Sequence, residues 1–189
     1  MTSPVYAALV HYPVRSREGA VITSAITNVD VHDIARSART YGLSGYFVVS
    51  PIAAQRILVE RILEHWRTGA GARRVPERSD ALSRCRPLES IEAAAATIES
   101  ETGLLPELVV TEARPELATR AVTFAAMRVR LASATRPTLI LFGTAHGLHP
   151  DVIDRADVVI EPIEGAADYN HLSVRAAAAI TFDRLFGQR

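Results

Sequence analysis

The sequence predicts an α/β fold in which helices cover a parallel sheet. Short apolar runs suited to buried strands alternate with stretches of helical periodicity along most of the chain. Loops rich in glycine, proline and polar residues leave the ends of the last apolar runs, the edge at which an α/β protein places its ligand. The chain has 189 residues, enough for one sizeable core and few for two, so residues 1–189 are read as a single domain.

The elements follow in order. Residues 5–11 read as a strand and 31–41 as a helix. Asp30 is placed as its N-cap, Asp33 adds charge to its first turn, and Gly42 sits where a C′ residue belongs. Residues 46–49 form the next strand and 52–66 the next helix, whose Val59, Ile62, Leu63 and Trp66 share one face. Residues 68–76, with Gly69, Gly71, Arg73 and Arg74, read as a basic connection. A short helix near Asp80, a strand over 84–88 that includes Cys85, and an alanine-rich helix over 91–100 come next. Residues 108–111 and 138–142 are strands separated by a helix over 121–132. A short helix over 150–155, a strand over 158–160 and a closing helix over 173–186 complete the chain.

Composition removes several classes of function. All 21 basic residues are arginine, so Schiff-base lysines and the lysine of a phosphate loop are excluded; genomic base composition accounts for a lysine-free, alanine-rich chain. One cysteine excludes an internal disulfide framework and a cysteine zinc cluster. Net charge is zero, so any nucleic-acid contact must be a local patch, for which residues 15–19 and the pair Arg73 and Arg74 are candidates. The amino terminus lacks the pattern of a signal peptide and no run is long and apolar enough to cross a membrane. A cytoplasmic protein is therefore expected. Six histidines raise a metal reading, but His146 and His149, or His32 beside Asp33, lack a third ligand at matching spacing, and none is expected.

Three segments carry candidate chemistry. Gly143 and Gly147 follow an apolar run without the spacing of a dinucleotide fingerprint or a phosphate loop; as a plain turn they need no ligand, and as a site they offer bare backbone groups to a flat one. Ile160-Glu161-Pro162-Ile163 reads either as a strand stopped by proline or as an apolar wall. Asp168-Tyr169-Asn170-His171 precedes a helix that Asn170 or Ser173 would cap. A hydrolase triad of Ser173, His171 and Asp168 is disfavoured, because the three are adjacent in sequence and no nucleophile elbow is present.

Together with Val110-Thr111-Glu112-Ala113-Arg114, these segments resemble the S-adenosylmethionine site of the SPOUT superfamily of RNA methyltransferases. The likeness is strongest to a family related to the C-terminal domain of tRNA (guanine-N1)-methyltransferase, and it extends back through residues 5–11 and 27–36. It implies a SPOUT-type fold whose C-terminal part is a deep trefoil knot, something ordinary topology rules would not suggest. It implies S-adenosylmethionine as cofactor, lined by Thr111, Glu112, Ala113, Leu141, Phe142, Gly143, Thr144, Gly147, Ile160, Glu161, Pro162, Ile163, Asn170, His171, Leu172 and Val174.

The implied activity is methyl transfer to RNA, with tRNA as the expected substrate and either a base nitrogen or a ribose 2′-hydroxyl as acceptor. Arg36 falls on the motif arginine, whose guanidinium suits a phosphate or a substrate hydroxyl; Asp168 and Asn170 are the other catalytic candidates, and methylation at a ring nitrogen would need a base for the departing proton, for which Asp168, Glu161 or His171 is placed. Two residues depart from the ribose-methylating pattern: Asp30 stands six places before Arg36 where that branch has asparagine, and His171 replaces its final asparagine. The resemblance further implies a homodimer, with RNA recognised in the dimer groove or through a partner protein. The alternative is an accessory module that binds cofactor or RNA without catalysing transfer.

Overall fold

A computed structural model describes residues 3–111, 121–166 and 171–188. The chain begins with strand β1 (Val5–Val10), a hairpin of β2 (Val14–Arg15) and β3 (Val21–Ile22), helix α1 (Asn28–Thr40) and strand β4 (Gly45–Val49). Helices α2 (Ala53–Arg67), α3 (Ala70–Arg74) and α4 (Pro76–Ser83) lead to β5 (Cys85–Leu88), α5 (Ile91–Thr102) and β6 (Glu107–Thr111). The remainder is α6 (Phe124–Ala132), β7 (Thr138–Gly143), α7 (Pro150–Asp154), β8 (Val158–Ile160) and α8 (Val174–Phe186).

The expected parallel sheet is present, with six strands in the order β5-β4-β1-β7-β6-β8 and every pairing parallel. β1 and β7 lie at its centre. Their side chains are buried on both faces, which is why these segments carry almost no polar residue. Alternation along the strands divides the interior into two cores. Ala7, Leu9, Tyr46, Ile140 and Phe142 pack with α1, α2, α6 and α8, whereas Tyr6, Ala8, Phe47, Leu139 and Leu141 pack with α5 and α7. Cys85 is a buried strand residue on the first side.

Most boundaries shift by one or two residues, and four differences have a clear physical cause or add an element. Helix α1 starts three residues earlier than a cap at Asp30 would allow, because Thr27 is the N-cap: its Oγ1 accepts from the Asp30 backbone N–H at 3.3 Å and donates to Asp30 Oδ2 at 2.6 Å. Thr27 thus caps the helix and also holds the side chain of its third residue, Asp30, which is buried. Gly42 follows the end of α1 with φ +76°, as expected of a C′ glycine. Helix α6 begins at Phe124, not residue 121, since Thr123 caps it and Val122 bridges to Ile160 at the sheet edge. The connection after Trp66 contains the short helix α3, and the basic loop at residues 15–19 is the turn of the β2–β3 hairpin, stabilised by Ser16 Oγ and Gly19 at φ +88°. The hairpin is held against the loop after β7, with Arg15 N–H donating to Gly147 O at 3.0 Å and His146 N–H donating to Arg15 O at 3.2 Å.

Helix α8 crosses the β7 side of the sheet through Phe182, fully buried and edge-on to Phe142 at 5.5 Å between ring centres. Phe182→Ala removes that support and should cost about 3–5 kcal/mol of unfolding free energy, read as a fall in the urea midpoint without a change in slope.

Candidate functional site

A cavity of about 670 Å³ opens at the carboxyl ends of β1, β6, β7 and β8, a volume within the usual range for small-molecule sites. Its position follows from the topology: each strand delivers its following loop to the same edge. The start of α8 and the side of α1 that carries Asp30 close it.

Ten of the expected cofactor residues line the cavity: Thr111, Phe142, Gly143, Thr144, Gly147, Glu161, Ile163, His171, Leu172 and Val174. Phe142, Ile163, Leu172 and Val174 provide apolar wall, joined by Phe124 of α6. Gly143 is needed for close approach, because a Cβ there would lie 2.6 Å from Leu148 N and 2.9 Å from Gly147 C. The loop continues through Ala145 at φ 52° and Gly147 at φ 93°, so backbone groups rather than long side chains face the cavity. Glu161 Oε1 accepts from the Phe124 backbone N–H at 2.7 Å, fixing its carboxylate at the wall while capping α6.

Other expected residues lie elsewhere. Leu141 alternates onto the opposite core, Ile160 is fully buried beneath the site, and Pro162 is outside the lining although both its neighbours belong to it. Glu112, Ala113, Asp168 and Asn170 lie outside the described residues. Arg36 is exposed on α1 and does not line this cavity. The reason is helical geometry: six residues advance about 240° around the axis, so Arg36 cannot share the face of Asp30. Ser173, considered for a triad, is the N-cap of α8 and accepts from Ala176 N–H. His149 caps α7, and the described residues contain no group of three or more metal-ligating side chains.

Several lining residues had no assigned role in the sequence reading: His11, Ser24, Arg175 and Thr181. The available signal was a histidine ending an otherwise apolar strand at its carboxyl edge. His11 Nδ1 is 2.9 Å from Ser24 Oγ, which is 2.5 Å from Thr144 Oγ1, whose hydroxyl donates to Val10 O at 3.0 Å. Asp30 is buried and receives Arg175 Nη1 at 3.2 Å on Oδ1, and Arg175 Nε also lies 3.7 Å from Asp33. That pair ties α1 to the start of α8 across the cavity. Burial pushes the His11 imidazole down to about 4, against a smaller opposing pull from the Asp30 charge.

The carboxyl-edge cavity and its glycine-built loop define a small-molecule-binding α/β domain. The chain belongs to the SAM-dependent RNA methyltransferase family, whose model matches residues 4–187. It is 44% identical over 183 residues to a tRNA (guanine-N(1)-)-methyltransferase of Oleidesulfovibrio alaskensis, covering 97% of this chain and 42% of that protein. The chain thus spans about two fifths of that relative's length. Among solved structures, TrmJ from Z. mobilis superposes with a TM-score of 0.60 at 16% identity, covering 98% of this chain and 70% of that one. The SpoU methyltransferase AviRb from Streptomyces viridochromogenes, in complex with the cofactor AdoMet, superposes with a TM-score of 0.56 at 17% identity, covering 98% and 58%. At these identities the structural matches establish the fold.

The histidine carries a stability consequence. Between pH 6.5 and about 4 the unfolded chain binds a proton at His11 that the folded protein refuses, so folding stability falls as pH is lowered through that window. The shift corresponds to about 3 kcal/mol. Urea titrations at pH 7 and pH 4.5 should show the loss, and His11→Asn should flatten this part of the pH dependence.

Proposed function

We propose that this chain binds S-adenosylmethionine in the carboxyl-edge cavity and transfers its methyl group to RNA, with tRNA as substrate. The observation that carries the reading is the convergence of Thr111, the loop 143–147, Glu161, Ile163 and the start of α8 on one cavity in a chain of this family. Bound there, the cofactor supplies an activated methyl on a sulfonium, so the protein has only to position the acceptor and take its proton. The site suits that group: apolar wall from Phe124, Phe142, Ile163 and Leu172 for an adenine ring, loop backbone for its edge, and Glu161 as an acceptor for ribose hydroxyls.

The name of the Oleidesulfovibrio relative supports tRNA as substrate. The acceptor is a base nitrogen or a ribose hydroxyl, both of which shed a proton. The C-terminal deep trefoil knot belongs to the same proposal, supported by β6, β7 and β8 lying side by side with α8 returning over β7. So does a homodimer: Arg36, outside its own cavity, would serve the site of a second copy, and the RNA would then span both. A partner protein for RNA recognition fits a chain without net positive charge. Among the described residues no helix is long and apolar enough to cross a membrane, in keeping with the proposed cytoplasmic location. Asp168 and Asn170, outside the described residues, are proposed for the reacting end on the sequence resemblance alone.

Calorimetry should give a dissociation constant on the order of micromolar for S-adenosylmethionine. Gly143→Ala should weaken binding roughly tenfold or more, about 1.4 kcal/mol, by forcing the loop apart. Lack of binding by the folded wild type would overturn the reading. In labelled-methyl assays on tRNA, Arg36→Ala should lose turnover while cofactor affinity stays within about threefold; an accessory module would show no turnover to lose.

A further inference from the structure

The basic stretch after Trp66, with Arg73 and Arg74, has no part in the cavity. Trp66 is what holds it in place. The indole ring meets His32 of α1 edge-on at 5.5 Å between ring centres, and the Arg78 guanidinium of α4 lies over it at 4.8 Å. Gly71 of α3 abuts the same ring, since a Cβ there would lie 2.8 Å from Trp66 Cε3. Ser79 Oγ donates to the Trp66 carbonyl at 2.7 Å. One side chain thus gathers α1, α3 and α4 onto α2, and the Arg39–Asp80 ion pair at 2.6 Å ties α1 to α4 directly.

Charge is uneven over this face. Elsewhere arginines are answered by carboxylates, as Arg86 is by Glu101, Arg130 by Glu107 and Arg155 by Glu92. Arg36, Arg73, Arg74 and Arg78 make no ion pair among the described residues. Of the acids nearby, Asp80 is taken by Arg39, Glu60 by Arg67 and Asp33 by Arg175, which leaves Glu64 and Glu77. The surplus is felt at His32, whose imidazole is held below its ordinary range by burial and then by the Arg78 charge; Arg36 and His65 add to this against the pull of Asp33. Arg36 is four residues beyond His32 and so lies on the same side of α1. Arg36, Arg73 and Arg74 are exposed and Arg78 is half-buried. Unanswered guanidiniums grouped in a chain of zero net charge make a local anion-binding surface, with the fork geometry that suits phosphate.

We propose that the face formed by α1, α3 and α4 around Trp66 binds the phosphate backbone of the substrate RNA, with Arg73, Arg74 and Arg78 as its phosphate contacts. The proposal rests on the methyltransferase reading above and gives that RNA a place on the molecule. A neutral chain has no broad positive field, so affinity for RNA has to come from a few well-placed contacts. The stack on Trp66 and the packing of α3 against it set the backbone of these arginines before RNA arrives, which lowers the ordering cost of binding. Arg36 shares the face and lies outside its own cavity, so RNA gripped here passes the arginine proposed to serve a second copy. Phosphate contacts position the strand without reading bases, and the choice of nucleotide stays with the cavity.

Trp66 is the chain's only tryptophan, so its emission reports on this face. A pool of in vitro transcribed tRNA should protect Trp66 of the wild type from acrylamide quenching, and the logarithm of affinity should fall linearly with that of salt concentration. The double variant R73Q/R74Q, altered at two exposed positions, should bind tRNA roughly tenfold or more weakly and flatten the salt slope by about 1 to 2. Its tRNA KM should rise, with kcat and S-adenosylmethionine affinity kept within about threefold. R155Q, on a different surface, should bind tRNA within about twofold of wild type. An unchanged tRNA affinity and salt slope in R73Q/R74Q, or unchanged Trp66 quenching with RNA bound, would overturn the proposal. So would an equal loss in R155Q, which marks a diffuse effect of charge, or a loss carried by R15Q/R17Q in its place. A wild type that takes the cofactor but methylates no tRNA in the pool removes the functional reading and this proposal with it; an active wild type whose R73Q/R74Q variant keeps its tRNA KM removes this proposal alone.

Discussion

The architecture depends on β1 being sealed on both faces. Neighbouring strands satisfy its backbone on either side, and apolar side chains fill the layers above and below, so its polar chemistry can emerge only at its ends. At the amino end of the sheet, Glu107 is enclosed by Arg130, with Arg136 and Asp157 extending the network. At the carboxyl end stand His11, the segment bearing Ser24, and the loop after β7. The site is thus a direct outcome of a strand arrangement that leaves one edge open.

Much of this was legible in the chain because the two periodicities are physically distinct. Strands β1, β4, β6, β7 and β8, and helices α1, α2, α5 and α8, follow from apolar spacing. What escaped was short or doubly determined. The two-residue strands β2 and β3 are too short to carry a period. Asp30 and Thr27 are both capping residues, and only the reciprocal pair of hydrogen bonds separates their roles. Gly143, Thr144, Gly147, Glu161 and Ile163, grouped by the resemblance, line one cavity, since they follow one another along consecutive loops. His11 and Arg175 are separated by most of the chain, and their shared location is created by the crossing of α8 over α1. Arg36 shows the reverse case: a motif position clear in sequence whose helical phase turns it away from the cavity of its own chain.

Helix termini at the cavity carry a further consequence, for ligand choice. The amino end of α6 is occupied by Glu161 on the Phe124 N–H and by Thr123 on the Ala126 N–H, and the amino end of α8 by Ser173. These are the donors and positive dipole ends that phosphates seek in nucleotide-binding folds. Three of those N–H groups are taken by the protein's own oxygens, one of them anionic, which leaves less positive potential there for a phosphate. A polyphosphate reaching the start of α6 would meet the Glu161 carboxylate where a nucleotide-binding fold presents a free N–H.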